Sequence, residues 1–472
     1  MTVLWSAPEA AAATCGTASG DWVATGVAID SRAVTPGDLF VALRGPNHDA
    51  HRFVAGALRA RAAAAMVDRA PDDIPDNARL LRVADTLSGL TALGAAARAR
   101  SDARIVAVTG SVGKTGTKEA LRLALGACGR VCSSAGSLNN HWGVPLSLAR
   151  LPRDAEYGVF ELGMNHAGEI AALTRLARPH VAVITNVEPA HLGFFSSVEA
   201  IADAKAEIFF GLEPDGAAVL NRDNPHFARL AAAAARVGAT IIGFGSHPQA
   251  AVRLLDCALS PDGSEIVAAL PGRDLRFRIG IAGRHWVLNA LAVVAAAIAV
   301  GADPERAAAA LADLRPLAGR GRREELPWHG GQLTLIDESY NASPAAMGAA
   351  LAVLGSAAPG GDGRRVAVLG DMLELGESSE ALHRDLAEPI AKAEVDCVFL
   401  VGSAVAALRE ALPQGRCGGL WQSADEAMPA LVEFLAPGDV VMVKGSNAGR
   451  LGRIIERLRA ESQKAALLSG LT

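Results

Sequence analysis

One short segment limits the folds open to this chain more than any other does. An apolar run at 105–109, typical of a buried strand, passes without a break into a glycine-rich loop and then into a helical pattern. The loop reads Gly110-Ser111-Val112-Gly113-Lys114-Thr115. Its backbone N–H groups, backed by a helix N-terminus, would cradle an anion, while Lys114 neutralises β- and γ-phosphate charge and Thr115 ligates Mg²⁺. The segment therefore predicts an ATP phosphate site on a parallel sheet.

This loop is a shortened form of the common phosphate-binding pattern, since the full spacing would need glycine at Val108. A glycine turn or helix cap that binds no ligand is the alternative. Lysine usage favours the phosphate site. Only six of the 45 basic residues are lysine, and arginine can replace lysine neither as a compact phosphate clamp nor as a reactive amine.

Apolar runs alternate with helical patterns along most of the chain, which is typical of βαβ units and a mainly parallel sheet. One series of runs lies at 157–162, 181–187, 217–220 and 241–244, and a second at 333–336, 365–369, 397–401 and 440–443. We predict an α/β protein of three domains. Residues 1–100 form a small α/β N-terminal domain, 101–316 a central P-loop parallel-sheet ATPase domain, and 317–472 a Rossmann-like C-terminal domain. A length of 472 residues agrees with three domains of ordinary size.

Composition excludes several classes of protein. The net charge of −5 argues against a general nucleic-acid binder. The longest apolar run, 290–302, is shorter than the roughly 20 residues that a bilayer requires, so a buried helix is expected and no membrane insertion. Residues 1–21 contain no Lys or Arg, and the six cysteines show no paired spacing. We therefore expect a cytoplasmic protein with reduced thiols.

Three further residues could complete a metal and phosphate site. Glu161 ends an apolar strand, and open α/β sheets place their ligands at the carboxyl ends of strands. His191 follows the next run, and Lys205 lies in a helical pattern after it. Taken singly, a solvent-facing carboxylate, a structural histidine and a solvated helix lysine are the alternatives for these residues.

Together, the motifs resemble the Mur ligases, the ATP-dependent amino-acid-adding enzymes of bacterial cell-wall synthesis. The shared runs are residues 110–115, Glu161-Leu162-Gly163-x-Asn165-His166, Ala190-His191-Leu192 and Ala204-Lys205-x-Glu207-Ile208-Phe209. Further runs at 137–145, 319–320, 337–344, 370–376 and 443–446 resemble the branch that adds D-alanyl-D-alanine to the UDP-linked muramoyl tripeptide. The resemblance covers nearly the whole chain.

The resemblance implies a reaction and a set of cofactors. The γ-phosphoryl group of ATP passes to the tripeptide carboxylate, and the amine of D-alanyl-D-alanine displaces phosphate from the acyl phosphate. Two Mg²⁺ ions are expected, the first held by Thr115 and Glu161 and the second associated with Glu161, His191 and a carbamylated Lys205. Carbamylation needs an uncharged amine, which agrees with a lysine persisting in an arginine-rich chain.

The resemblance also assigns ligand-binding residues outside the metal site. Asn289 matches the residue that reads adenine, Arg320 the arginine that reaches the γ-phosphate from the C-terminal domain, and Asp337 the acid near the ribose. The expected substrate contacts are Asp30, Ser31 and Arg32 for uridine diphosphate, Asn139 and Asn140 in a substrate-facing loop, and Lys444 near the dipeptide or nucleotide. Polar or structural turns are the alternatives for these substrate segments.

Four positions depart from the branch's usual residues: Gly116 replaces Thr or Ser, Trp286 replaces Asn, Glu338 replaces Asp and Ser343 replaces Asn. Because Trp286 replaces the usual asparagine, the resemblance does not decide whether residue 286 makes a second contact with adenine. Three other functions remain as alternatives: another superfamily ligase of the folylpolyglutamate or cyanophycin type, a P-loop kinase, and a nucleotide-dependent switch. We expect a monomer, although no residue pattern bears on the oligomeric state.

Overall fold

The computed structural model describes residues 2–45, 48–189, 192–260 and 262–469, and its N-terminal part is built on a five-stranded sheet. The elements are β1 (Trp5–Ser6), α1 (Ala7–Thr14), β2 (Thr17–Ala18), β3 (Val23–Ala24), β4 (Gly26–Ala28), β5 (Asp38–Val41), α2 (Val54–Arg59), β6 (Ala64–Val67), β7 (Leu80–Arg82) and α3 (Thr86–Ala99). The sheet order is β2-β7-β6-β5-β4, parallel except for β2, and β1 pairs separately with β3. Asp85 caps α3 by accepting the Ser88 N–H at 2.7 Å.

The central part is a nine-stranded sheet in the order β16-β15-β14-β13-β12-β11-β8-β10-β9. Its elements are β8 (Arg104–Thr109), α4 (Lys114–Gly126), β9 (Val131–Ser133), α5 (Gly143–Ala149), β10 (Tyr157–Glu161), α6 (Glu169–Ala177), β11 (Val181–Ile184), α7 (Val198–Ala206), β12 (Ala217–Asn221), α8 (Phe227–Arg236), β13 (Thr240–Gly245), β14 (Val252–Ser260), β15 (Gly263–Leu270), β16 (Arg273–Ile279), α9 (Arg284–Ala299) and α10 (Pro304–Ala310). The strands from β9 to β14 are parallel, and β14, β15 and β16 are antiparallel. The next strands along the chain are added on one side of β8 (β10 and β9) and then on the other (β11 to β14). Open sheets bind ligands at such a change of side.

The C-terminal part is a six-stranded sheet in the order β17-β18-β22-β19-β20-β21, parallel except for β17. Its elements are β17 (Arg322–Trp328), β18 (Gly331–Glu338), α11 (Pro344–Ser356), β19 (Arg365–Gly370), α12 (Ser379–Arg384), α13 (Ala387–Lys392), β20 (Cys397–Val401), α14 (Ala406–Ala411), β21 (Cys417–Trp421), α15 (Ala424–Phe434), β22 (Val440–Lys444) and α16 (Gly452–Ser469). Apolar clusters cover both of its faces.

The N-terminal and central sheets share one hydrophobic core. A single cluster of buried side chains runs from Leu39 through Leu90 on α3 to Leu148 on α5 and Phe160 on β10. The Trp5 indole N–H also donates to Ala149 O at 2.9 Å. These two parts of the chain are therefore joined by apolar packing, since burying such side chains stabilises by about 2 kcal/mol each.

In the central and C-terminal sheets, the sequence pattern located most of the parallel strands but missed β9 and β21, and it also missed β15, β16 and β17, which pair antiparallel. The apolar run at 290–302 is confirmed as mostly buried helix, because α9 covers it up to Ala299. The run at 181–187 forms a strand only to Ile184, since the next residues leave the sheet to contact the glycine loop. Of the β14–β16 strands, which were not predicted, only β16 shows a regular alternation of polar and apolar residues, and β14 exposes Leu255 and Leu259. Among the described residues, no helix is long and apolar enough to span a bilayer.

Candidate functional site

The glycine loop lies between β8 and α4, as predicted, and the segment after β11 holds it. Ser111 N–H donates to Asn186 O at 2.9 Å, and the Thr185 hydroxyl donates to Val112 O at 2.6 Å. Gly110 has φ +152°, and a Cβ there would lie 2.0 Å from Thr185 Oγ1. Glycine is therefore required at this close approach. The first turn of α4 then presents N–H groups without partners inside the helix, which suits an anion.

Lys114 is half-buried and bends back over the loop that carries it. Its ammonium donates to Gly110 O at 2.7 Å. Burial, followed by the positive charge of Arg320, lowers the pKa of Lys114, and the nearby Glu161 carboxylate opposes that shift. Lys114, Glu161 and Arg320 are therefore close enough to form one electrostatic unit, with Arg320 coming from beyond α10.

Glu161 ends β10 with one carboxylate oxygen bonded and the other free. Asn139 Nδ2 donates to Oε1 at 2.8 Å, while Oε2 is buried and has no hydrogen-bond partner in the described chain. The whole residue is 1% exposed. A buried carboxylate oxygen without a donor is costly, so this atom is placed for a cation that the protein alone does not supply.

Lys205 lies on α7 and is 2% exposed. No described residue forms a hydrogen bond or ion pair with its side chain. Burial, together with the charge of Lys114, holds its pKa well below the ordinary value for lysine. The side chain is thus a buried amine in a site that disfavours its protonation. The unprotonated amine is the form that can react with an electrophile.

The start of α9 forms a second wall of the site. A Cβ built on Gly113 would lie 3.1 Å from Asn289 Oδ1, so the Asn289 amide rests directly against the loop. Trp286, one turn earlier, packs on Gly116. His285 also lies here, and burial lowers the pKa of its imidazole.

The C-terminal domain closes the site with residues from the β17 and β18 region. The Arg320 guanidinium stacks over the Tyr340 ring at 4.1 Å, and Tyr340 and Ser137 join their hydroxyls at 2.6 Å. Asp337 is buried, and its carboxylate accepts from Gly319 N–H at 3.1 Å and from Ser339 Oγ at 2.6 Å. Arg320 is therefore held facing the glycine loop across the two domains.

Lys444 at the end of β22 is also buried, and its ammonium has two acceptors. Its ammonium lies 3.1 Å from Glu338 Oε2 and 3.1 Å from Asn341 O. Ser446, two residues later, has a buried hydroxyl with no partner among the described residues.

One cavity of about 760 Å³ joins these groups. The predicted residues that line it are Ser111, Val112, Gly113, Lys114, Thr115, Asn139, Glu161, Asn289, Arg320 and Lys444. Gly110, Lys205 and Asp337 are not among the residues that line it. The predicted histidine at 191 lies outside the described residues.

Other predicted residues stand apart from this cavity. Asp30, Ser31 and Arg32 follow β4 in the N-terminal domain, where Asp30 accepts from the Arg32 guanidinium at 2.6 Å and its pKa is lowered to about 2. The Asn140 side chain accepts from Gly143 N–H at 3.0 Å and so caps α5. Sequence reasoning assigned no role to Ser137 or Tyr340, and only their presence inside recognised motifs pointed to them.

The chain matches three family models in succession. Residues 23–122 match the model described as Mur ligase family, catalytic domain, residues 108–297 the Mur ligase middle domain, and residues 321–447 the Mur ligase, glutamate ligase domain. Curated relatives named UDP-N-acetylmuramoyl-tripeptide–D-alanyl-D-alanine ligase are 36% identical in Bacillus subtilis and 37% identical in Escherichia coli. Both alignments cover 92% of this chain and 93% of the relative.

Solved structures agree with these matches. A crystal structure of MurF from Acinetobacter baumannii superposes with a TM-score of 0.83 at 33% identity, covering 97% of this chain and 99% of that one. The MurF ligase from Thermotoga maritima, in complex with ADP, has a TM-score of 0.76 at 28% identity and covers 93% and 98%. The likeness therefore extends over all three sheets.

Proposed function

Because this chain belongs to the Mur ligase family, we propose that it joins D-alanyl-D-alanine to UDP-N-acetylmuramoyl-tripeptide with hydrolysis of ATP. The observation that carries the proposal is the match to relatives of that name over 92% of the chain, including the C-terminal domain. A nucleotide-binding half alone would not distinguish a ligase from a kinase. Peptidoglycan precursor synthesis is the pathway this reaction serves.

The first chemical step joins two anions, so the site must supply positive charge. The tripeptide carboxylate attacks the γ-phosphorus, the bond to the β,γ-bridging oxygen breaks, and ADP leaves with an acyl phosphate formed. Lys114 would leave its contact with Gly110 O to reach the β- and γ-phosphates, and Arg320 would contact the γ-phosphate from the opposite domain. Both side chains already face the same cavity.

The second step forms the amide. The dipeptide amine attacks the acyl carbon, a tetrahedral intermediate forms, and its collapse expels phosphate while the amine loses a proton. We assign the dipeptide end of the cavity to Lys444 and to Ser446, whose buried hydroxyl has no partner in the described chain. The Asn139 loop would face the tripeptide, and Asp30, Ser31 and Arg32 would hold the uridine diphosphate.

The residues present fit Mg²⁺. Glu161 offers a buried free oxygen, and Thr115 lines the same cavity. The described residues contain no cluster of three or more His, Cys, Asp and Glu side chains that would hold a metal alone, so phosphate oxygens must complete the first site. Magnesium bound there would offset phosphate charge as the acyl phosphate forms. A second ion would use Glu161, His191 and a modified Lys205.

We propose that Lys205 reacts with CO₂, forming an N–C bond and releasing one proton to give an anionic carbamate. Support comes from its burial, its lack of a partner among the described residues and its lowered pKa. Lys205→Ala should lose activity by roughly 10²-fold or more and regain part of it with added acetate or propionate. Lys114→Ala is the matched control, and short carboxylates should not rescue it. Absence of rescue in a folded Lys205→Ala protein would contradict the carbamate.

Nucleotide binding would span two domains, with Asn289 reading adenine and Asp337 lying near the ribose. We propose domain limits of 1–100, 101–316 and 317–472, which agree with sheets that span 17–82, 104–279 and 322–444. We further propose a cytoplasmic monomer, because one chain supplies every assigned residue and the nucleotide-linked substrates occur in the cytoplasm.

The decisive experiment is mass spectrometry of the product made from UDP-muramoyl-tripeptide, D-alanyl-D-alanine and ATP. The expected product is the pentapeptide, and phosphate should be released only when both substrates are present. Glutamate in place of the dipeptide tests for a folylpolyglutamate-type ligase. A stable phosphorylated product without an amide would identify a kinase, and nucleotide binding without turnover would identify a switch.

A further inference from the structure

The indole of Trp286 occupies space that a side chain at residue 116 would otherwise fill. A Cβ built on Gly116 would lie 2.5 Å from Cη2 of Trp286 and 3.0 Å from its Cζ3. Real Cβ atoms do not approach other atoms so closely, so the ring and any larger residue at 116 exclude each other. Gly116 and Trp286, both unusual for the family branch, are therefore one structural unit.

This unit lies in the nucleotide half of the cavity. Gly116 follows the phosphate-loop residues Lys114 and Thr115 on α4, and Trp286 precedes Asn289 by one turn of α9. All of these residues line the same cavity. Asn289 rests on Gly113 of the phosphate loop and the indole rests on Gly116 just beyond it, so the two side chains lie next to each other along the start of α4.

The C-terminal domain contributes an unusually smooth surface to the same cavity. Ala345, Ala346 and Ala349 on α11 line it, together with Leu288 from α9. The start of α9 lies close to α11, because a Cβ built on Gly283, the residue before α9, would lie 3.4 Å from Val353 Cγ2. An aromatic ring from one domain and methyl groups from another suit a flat, apolar ligand surface such as the face of a purine.

We propose that Trp286, seated on Gly116, is the base-stacking residue for the nucleotide, which it holds against the alanine surface of α11. This inference rests on the proposed use of ATP. Stacking on an aromatic side chain senses the ring face and tolerates changes at the ring edge. Asn289 is then the group that reads the adenine edge, since one amide both donates and accepts.

Trp286→Ala should raise the KM for ATP about tenfold, with kcat within about twofold, and Trp286→Phe should stay within about threefold of the parent KM. In Trp286→Ala, the KM for inosine triphosphate should rise by the same factor as the KM for ATP. Asn289→Ala should instead reduce the preference for ATP over inosine triphosphate. An unchanged KM in Trp286→Ala, or a loss confined to kcat, would overturn the proposal.

The glycine partner permits a double-mutant test. Gly116→Ala alone should raise the KM for ATP about as much as Trp286→Ala, because the new methyl displaces the ring. Adding Gly116→Ala to Trp286→Ala should cost nothing more, since the clash has gone. Gly126→Ala is the matched control on the same helix, where a Cβ meets nothing within 4 Å. Additive effects of the two substitutions would contradict the paired arrangement.

Direct binding separates this inference from the proposed ligation. Calorimetric titration with ADP should show the same tenfold weakening in Trp286→Ala, whatever amine or acid the enzyme uses. If ligation fails while this weakening appears, the proposed reaction is wrong and the stacking role stands. If Trp286→Ala does not fold, Trp286→Phe and Gly116→Ala decide the question, and unchanged ADP affinity in both overturns the proposal.

Discussion

The buried charged groups of the central domain and those of the C-terminal domain differ in whether they have partners within the protein. On the central-domain side, Glu161 Oε2 and the Lys205 amine have no partner within the described chain. On the C-terminal side, Lys444 pairs with Glu338 and Asp337 accepts from Gly319 and Ser339, although Ser446 Oγ is left free. Hydrogen-bond and ion-pair partners offset the free-energy cost of burying a charged group, whereas a group without partners leaves that cost uncompensated in the folded protein. The central-domain side is therefore arranged for a charged ligand, whereas the buried charges of the C-terminal side are largely paired within the protein.

Replacing Lys114 should therefore affect activity far more than stability. We expect Lys114→Met to lower kcat/KM by roughly 10³-fold or more, because phosphate charge is no longer offset. The free energy of unfolding should fall by no more than about 1 kcal/mol, since the variant loses the hydrogen bond to Gly110 O but also removes a half-buried cation. Steady-state kinetics and urea denaturation measure the two quantities. A large loss of stability would contradict this expectation.

Replacing Lys444 should instead affect stability. Lys444→Met leaves the Glu338 carboxylate without its ion-pair partner. The side chains of Lys444 and Glu338 are only 4% and 16% exposed, so water cannot readily replace that partner. We expect a loss of about 3 kcal/mol in the free energy of unfolding. The double variant Lys444→Met/Glu338→Gln should recover much of it. If the single variant is as stable as the parent, the pair contributes little and the contrast between the two sides fails.

Lys118 separates the effect of pairing from that of position, because it belongs to the central domain and its ammonium nevertheless has three acceptors. Its buried ammonium contacts Glu119 and donates to Ser134 O at 2.8 Å and Gly136 O at 3.0 Å. Lys118→Met should cost about 2 kcal/mol by leaving both carbonyls without donors. Thermal and urea unfolding test this, with Lys392→Met as an exposed control that should change little. Equal stability of the two variants would contradict the expectation.

We expect a smaller, pH-dependent change in stability from His180, whose Nδ1 accepts the Ile105 N–H at 2.9 Å. Burial, followed by the charges of Arg104 and Arg98, lowers its pKa from 6.5 to about 4. The folded protein thus binds fewer protons than the unfolded one, and stability should fall as pH drops from about 6.5 towards 4. Linkage gives a loss of about 2 kcal/mol at pH 5, which solvent screening around the half-buried ring reduces to about 1 kcal/mol. His180→Asn keeps an acceptor that does not titrate, so its unfolding free energy should vary less between pH 7 and pH 5.

The sequence was informative where a role depends on neighbouring residues. Lys114 and Glu161 were located because a glycine loop between strand and helix, and a carboxylate at a strand end, are local patterns. The Ser137–Tyr340 hydrogen bond joins residues 203 positions apart, and the fit of Trp286 on Gly116 depends on how two helices pack. No periodicity encodes such contacts. The resemblance supplied the ligand roles, and the packing of this chain had to come from coordinates.

The continuous apolar core between the N-terminal and central sheets bears on how the enzyme can be divided. A fragment ending near residue 100 would expose Leu90, Leu93 and Trp5 to water and invite aggregation. A cut near residue 316 would cross mainly polar contacts such as that of Ser137 with Tyr340. Domain exchange with a relative is therefore best attempted at the second junction, because the C-terminal domain has its own apolar clusters on both faces of its sheet.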